Sequence, residues 1–398
     1  MKKHHDIAII GAGPIGCYIG GEIAKEGYDV AIFEEHKKIG YPLQCAGLVT
    51  PRVFDIADIK KEKIVQNHIY GAKFHSPTNI CFTIGGDKLH AYTINRPLLD
   101  KTMADKAEKN GAKIYLGCKV DNACKKDKKI LLKTRSETIS CNLLIGADGV
   151  FSKTRKWFGL PESKEFLYGI GGEIETREEI DKKFVEIFSG KNIAPEFFAW
   201  MIPINEKKIR IGLCIGEKYK KNILSNYFNS FLKKIDKQTG IKNQKIKPTV
   251  GGVIPVGLLN KTYSSNVMLV GDAASQVKPL SGGGIYTGLK SAKHCISISK
   301  LSLKEKNFTE PILRKYHILW SEDIGREIGI GLILRKIIKN LSDRDIDKIA
   351  SFFKENEDIL KIISEYGDID YPSRLIKPLL SNPRFLAYLP SIVSKSIF

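Results

Sequence analysis

Gly11-Ala12-Gly13-Pro14-Ile15-Gly16 places three glycines in the order G-x-G-x-x-G. The chemistry of that spacing is phosphate binding. Gly11 permits a tight turn, Gly13 lets the backbone approach a pyrophosphate, and Gly16 allows a helix to pack closely on a strand. The helix N-terminus then supplies amide donors. Glu34 lies 23 residues beyond Gly11, where an acid bonds the ribose hydroxyls of an adenosine. Its charge repels a 2′-phosphate, which disfavours NADP. These residues predict an adenine-dinucleotide site.

Those residues need elements to hold them. Asp6–Ile10 reads as a strand, Pro14–Lys25 as a helix stopped by Gly27, and Asp29–Phe33 as a second strand: a βαβ start. Apolar runs ending in Gly and Asp return at 143–149 (LLIGADG) and 267–274 (VMLVGDAA). Residues 165–255 alternate as strands do, with a helix near Ile223–Lys234, and the tail beyond 300 is helical. The expected fold is α/β (α+β). A Rossmann-like dinucleotide domain spans 1–65, 88–165 and 248–300. A substrate domain built on an antiparallel sheet is inserted at 66–87 and 166–247, and a helical region covers 301–398.

Composition narrows the class. Hydrophobic residues at 42% and charged residues at 27% exclude wholesale disorder. The net charge of +20 favours an anionic partner, or reflects a Lys-rich composition. No zinc-module, RRM or helix-turn-helix pattern accompanies it, so no nucleic-acid partner is expected. The eight cysteines form no C-x-x-C pair, and no metal site is expected. The N-terminus runs from MKKHHD directly into a strand without a signal-peptide core, and no run suits a spanning helix. A cytoplasmic chain with reduced thiols is expected, resting peripherally on the cytoplasmic face of the membrane.

Further motifs choose the dinucleotide. Arg96-Pro97 opens a helix, and Gly146-Ala147-Asp148-Gly149 and Gly271-Asp272-Ala273-Ala274 each follow a strand. Pro279 and Gly282-Gly283-Gly284-Ile285 come next. Here the chain resembles the flavoprotein group of aromatic hydroxylases, flavin halogenases and geranylgeranyl reductases, which implies FAD. By that resemblance Asp272 bonds the ribityl chain, Arg96 contacts the cofactor, and the glycine run lies along the isoalloxazine ring. A bulky ring needs backbone free of side chains against it.

Pro42-Leu43-Gln44-Cys45-Ala46-Gly47 resembles the PxxCxG signature of geranylgeranyl reductases, and Lys278-Pro279-Leu280-Ser281-Gly282-Gly283-Gly284-Ile285 is similar to their flavin-facing segment. The chain is most similar to the archaeal digeranylgeranylglycerophospholipid reductases. That implies flavin contacts at Ile15, Glu34, Cys45, Ala46, Arg96, Val120, Asp272, Gly284 and Ile285, besides Gly47 and Asp148 from the motifs above. Pro195-Glu196-Phe197-Phe198-Ala199-Trp200-Met201-Ile202-Pro203 matches the family's PxxYxWxFP at Pro195, Trp200 and Pro203. Phe198 stands in place of the Tyr and removes a hydroxyl that could donate a proton. Phe198, Trp200 and Pro203 are the expected substrate contacts.

The reaction this implies is saturation of isolated C=C bonds in geranylgeranyl chains of a glycerophospholipid. An electron-rich alkene accepts hydride only with a proton or strong polarisation, so a dry apolar channel, a donor and alignment are needed. Cys45 is the candidate catalytic residue. Phe166, Phe184, Phe188, Phe197, Phe198, Trp200 and Met201 are candidate channel walls. NAD(P)H, ferredoxin or another small carrier would supply electrons. Two rivals share the fold: an oxygen-using halogenase or hydroxylase, with Lys73 as its lysine, and a non-catalytic prenyl-lipid carrier. The apolar, basic-ended run Ile324–Leu341 and the segment Arg384–Pro390 serve either as a surface resting on an anionic membrane or as helices packed on the catalytic domain.

Overall fold

The computed structural model describes residues 3–219, 224–239 and 250–393. The first strand runs His4–Ile10, with Ile7, Ala8 and Ile9 fully buried. A parallel strand covered on both faces must be apolar at successive positions. It lies in parallel between Val30–Phe33 and Thr138–Gly146, and the sheet continues to Lys113–Tyr115 on one side and Val267–Leu269 on the other. Both distant apolar runs therefore end beside the glycine turn. On one face Ile7 and Ile9 pack against the helices Pro14–Ala24, Arg96–Lys109 and Ile285–Glu305. On the other, Ala8 packs with the antiparallel pair Val120–Lys126 and Lys129–Thr134.

A second sheet has the order Val250–Val256, Glu165–Glu175, Lys208–Gly216, Ala199–Asn205, Phe184–Phe188, Gly71–His75, Cys81–Gly85. Neighbours are antiparallel except Phe184–Phe188 with Gly71–His75. The boundary read at 248 moves, because Val250–Val256 is an edge strand of this sheet and not part of the nucleotide sheet. Strand periodicity then decides what each residue does. Ile209, Ile211, Leu213 and Ile215 meet Phe228, Phe231 and Ile235 of the helix Leu224–Thr239, while Arg210, Gly212 and Cys214 face the opposite way. The start of that helix, expected at Ile223, lies outside the described residues.

A small sheet of Leu48–Val49, Ala91–Ile94 and Val65–Ile69 joins the two larger ones. Its Thr93 hydroxyl and Asn67 amide both donate to the Pro203 carbonyl oxygen. Residues 66–69, expected to open the substrate domain, lie in the strand Val65–Ile69 of this small sheet instead.

The run expected as one helix over Ile324–Leu341 begins as Arg326–Asn340, after a wide π turn at Ser321–Gly325 that continues Glu310–Trp320. Gly325 lies against Trp320, where an added Cβ would come within 3.1 Å of the indole ring. This crowding fits a locally widened turn. Among the described residues, Asp343–Glu355, Glu357–Tyr366, Ser373–Leu380 and Pro383–Val393 complete the helical region. No helix among them is long and apolar enough to cross a membrane, and no His, Cys, Asp and Glu cluster could hold a metal ion.

Candidate active site

The cradle is built by crowding. Gly11 has φ +101°, and a Cβ there would sit 2.3 Å from the Ala147 carbonyl oxygen. At Gly16 a Cβ would sit 2.0 Å from the Gly11 oxygen, so both positions exclude side chains. Gly13 has no such neighbour; it opens into a cavity. The helix Pro14–Ala24 starts there without a side-chain cap, which leaves its first amides for a ligand. Glu34 accepts from the Ala12 amide at 2.9 Å with one oxygen and from the His36 amide, also at 2.9 Å, with the other. The carboxylate is thereby held at the cavity wall.

That cavity measures about 2100 Å³ and is lined by residues of both large sheets and the C-terminal helices. A single small ligand commonly needs ~300–1,000 Å³, so there is room for a dinucleotide and a second ligand. Every residue expected to contact the cofactor lines it except Gly16, which is taken up in packing; of the expected substrate contacts Phe198 and Trp200 line it and Pro203 lies outside, with its carbonyl bound by Asn67 and Thr93. The side chain of Asp148 accepts from Ser152 Oγ at 2.6 Å and from the Thr154 amide at 2.9 Å. It shapes the turn before Lys153–Trp157, so what this residue offers a ligand is its backbone.

Asp272 sits in the turn Gly271–Ala274, and a Cβ on Gly284 would lie 2.7 Å from its Oδ1. Burial pushes its carboxyl above the usual range, with the Arg96 charge pulling it back. No described residue donates to this carboxylate, so it is a half-buried acceptor facing the cavity beside a glycine cradle. It suits the hydroxyls of a dinucleotide's flavin-side chain.

Cys45 belongs to the loop 42–47, which packs on the edge strand, with the Gly251 amide donating to the Leu43 carbonyl. The Arg96 guanidinium lies near the Cys45 sulfur and donates through Nε to Asp100 at 2.7 Å. The Gly47 amide points at the sulfur, 3.3 Å away.

On the wall formed by the second sheet, Phe197 and Phe198 stack with centroids 4.2 Å apart, and Trp200 meets Phe198 edge-on at 6.2 Å. Trp200 lies over Gly212, where a Cβ would come within 2.4 Å of the ring. A Cβ on Gly282 would be 3.7 Å from Phe197, so the aromatic wall begins where the glycine run ends. Phe166, Phe184, Phe188 and Met201 do not line the cavity, contrary to expectation. Phe188 and Met201 fall on the face packed against Leu224–Thr239, because strand register turns alternate residues away. Lys73 is also outside: its Nζ meets Asp181 at 3.2 Å and lies over the Phe184 ring.

Sequence reading missed two arginines. Arg210 is nearly buried and donates to the carbonyls of Ala46 and Ile94, to Gln66 and to Glu173. Arg155, fully buried, donates to the carbonyls of Val150 and Ala273 and to Glu162. A lone arginine inside the apolar strand IRIGLCIG was the available signal for the first.

The chain matches the family of FAD binding domains over residues 4–317. It is 36% identical to an uncharacterized protein, MJ1520, of Methanocaldococcus jannaschii, over 96% of each chain. It is 30% identical to the digeranylgeranylglycerophospholipid reductase of Methanosarcina acetivorans, over 89% of this chain and 90% of that one. Among solved structures, a geranylgeranyl bacteriochlorophyll reductase-like protein of Thermoplasma acidophilum superposes with a TM-score of 0.82 at 22% identity, covering 98% of this chain and 99% of that one. The flavin-dependent halogenase CmlS gives a TM-score of 0.69 at 17% identity, covering 99% of this chain and 78% of that one. With a cradle, an acid and a half-buried acceptor suited to it, the dinucleotide is FAD, and the chain belongs to the FAD-binding-domain family, together with the digeranylgeranylglycerophospholipid reductases.

Proposed function

We propose that this chain is an FAD-dependent reductase that saturates C=C bonds in the geranylgeranyl chains of a glycerophospholipid. The observation that carries the reading is the single cavity shared by the FAD cradle, the Cys45 loop, the aromatic wall and the apolar C-terminal helices. Reduced FAD, when bound, supplies a hydride. The chain supplies the rest. Trp200, Phe197 and Phe198 exclude water and hold an extended isoprenoid against the glycine loop. Their faces favour positive charge developing on one alkene carbon as the other takes a proton. Cys45 Sγ holds that proton, and the Gly47 amide, which donates to the sulfur, fixes where it points, with the Arg96 charge nearby. One hydride and one proton add across each bond, which loses its π pair.

Lipid entry is read from the helices at the far wall. On Ser373–Leu380, Leu375 and Leu379 line the cavity while Ile376 and Leu380 are exposed. On Pro383–Val393, Phe385 and Leu389 line it while Leu386 is exposed. Helices apolar on both sides, with Lys377 and Arg384 exposed among them, suit the surface of an anionic membrane. A small electron carrier from solution would recharge the flavin. The oxygen-using alternative loses its lysine, since Lys73 is paired with Asp181 outside the cavity.

The test is anaerobic turnover of dithionite-reduced protein with a digeranylgeranyl glycerophospholipid, read by mass spectrometry. A gain of two mass units per double bond is expected. No gain on any polyprenyl lipid, with oxygen-dependent attack on an aromatic compound, would overturn the reading.

A further inference from the structure

The loop that carries the glycine run closes on itself. The Lys278 amide donates to the Gly283 carbonyl at 3.1 Å, and the Gly282 amide to the Lys278 carbonyl at 2.9 Å. Its charged side chain folds back over the glycines: a Cβ on Gly283 would lie 3.0 Å from Lys278 Cε and 3.4 Å from Nζ. Lys278 is largely buried, and its Nζ donates to Asp370 Oδ1 at 2.6 Å. Asp370 is fully buried, and its other oxygen accepts from Arg52 Nη1 at 2.9 Å. Arg52 also grips Asp368 with both Nη atoms, at 2.9 and 2.7 Å, and Asp368 accepts from Arg374 as well. Three cations thus share two carboxylates, and one positive charge is left over beside the cavity.

A glycine turn has no structural need of a lysine. Burying an ammonium with a carboxylate is costly, and an apolar residue would pack there at less expense. FAD held at Glu34 and Gly13 would reach toward this loop, since Glu34, Gly13, Asp272 and Gly282–Gly284 line one cavity. Two-electron reduction adds two electrons and one proton to the ring and leaves one negative charge.

We propose that Lys278, fixed by Asp370 from the helical region, sets the reduction potential of the flavin by stabilising the charge that the ring gains on reduction. The proposal rests on FAD binding and goes beyond the alkene reaction. It gives Asp370 and Arg52 defined parts: Asp370 places the ammonium and offsets part of its charge, and Arg52 holds Asp370 in position.

The test is the midpoint potential of FAD-loaded protein, titrated with dithionite against reference dyes. Lys278→Gln is expected to favour the reduced form about tenfold less, a potential about 30 mV lower for a two-electron couple. Lys278→Arg is expected to stay near the wild type. Asp370→Asn is expected to shift the potential upward, because Lys278 and Arg52 lose a shared counter-charge. Opposite shifts in Lys278→Gln and Asp370→Asn are what a packing role would not produce. If Asp370→Asn fails to fold, the Gln and Arg variants of Lys278 decide: a shift only in Gln supports the proposal, and equal shifts in both overturn it. An unchanged potential in fully loaded Lys278→Gln overturns this proposal alone, whereas wild-type protein unable to hold FAD overturns the cofactor assignment and this proposal with it.

Discussion

Gly47 and Arg210 are pressed together so closely that a Cβ on Gly47 would lie 2.2 Å from Arg210 Nη1. That nitrogen donates to the carbonyl oxygens of Ala46, at 3.2 Å, and Ile94, at 2.7 Å. An arginine of the seven-stranded sheet thereby holds the loop that carries Cys45. Gly47 also has φ +70°, a conformation strained by about 1–3 kcal/mol for other residues. Gly47→Ala is therefore expected to lose ~2 kcal/mol or more and to loosen the loop. Urea unfolding at saturating FAD measures this, and a wild-type midpoint would mean that the Arg210 contact has no weight.

Glu34→Arg removes the acceptor for the Ala12 amide and puts a cation where a ribose should bind. A hydrogen bond to a charged group is worth about 1.5–3 kcal/mol, so FAD affinity should fall roughly tenfold or more. Flavin fluorescence titration reads the affinity; undiminished binding would contradict the ribose contact.

Cys45→Ser keeps the size of the side chain and its ability to accept from Gly47, but an alcohol is a far weaker acid than a thiol. FAD occupancy should remain and alkene reduction should fall by about 100-fold, the lower range for a positioned proton donor. Single-turnover oxidation of the reduced flavin by substrate measures it. Wild-type turnover would reduce Cys45 to packing.

The link between Asp368 and Arg52 should be sensitive to acid. Burial alone would raise the Asp368 carboxyl, but hydrogen bonds from Arg52 and the Asp370 amide outweigh it and hold it below the ordinary range. A carboxyl lowered in the folded state adds stability above its unfolded pKa and loses it as pH falls through the folded value. Stability of the segment 366–374 should therefore drop on acidification below the usual carboxylate range. Arg52→Gln should remove most of that dependence, as read by hydrogen exchange across those residues. An identical acid profile in the variant would sink the idea.

Leu380→Glu with Leu386→Glu alters side chains that are 41% and 47% exposed, so folding and FAD binding should be unaffected. Co-sedimentation with phosphatidylglycerol vesicles should weaken several-fold, since each buried apolar side chain contributes about 1.5–3 kcal/mol at most. Equal sedimentation of variant and wild type would place membrane contact elsewhere or nowhere.

Much of the site was legible in the chain because its chemistry is local. Gly11, Gly13 and Gly16 belong to one turn, and Glu34 closes the same βαβ unit. Gly282–Gly284 stand in one run, and Gly282, at φ +72°, takes a turn conformation that favours glycine. Such constraints act over a few residues and leave a spacing that can be read directly. The resemblance to reductases rested on equally short blocks, Pro42–Gly47 and Lys278–Ile285.

The tertiary structure decided which of the remaining residues face one another. Trp200 enters the cavity and Met201 does not, because adjacent residues on a strand point to opposite faces and only register says which face is which. The same rule sent Phe188 to the helix side. Lys278 and Asp370 are 92 residues apart, and Arg52 and Asp368 are 316 apart. No spacing in the chain announces such pairs. They form because folding excludes water from these charges, and a buried charge must find its partner wherever the chain happens to bring one.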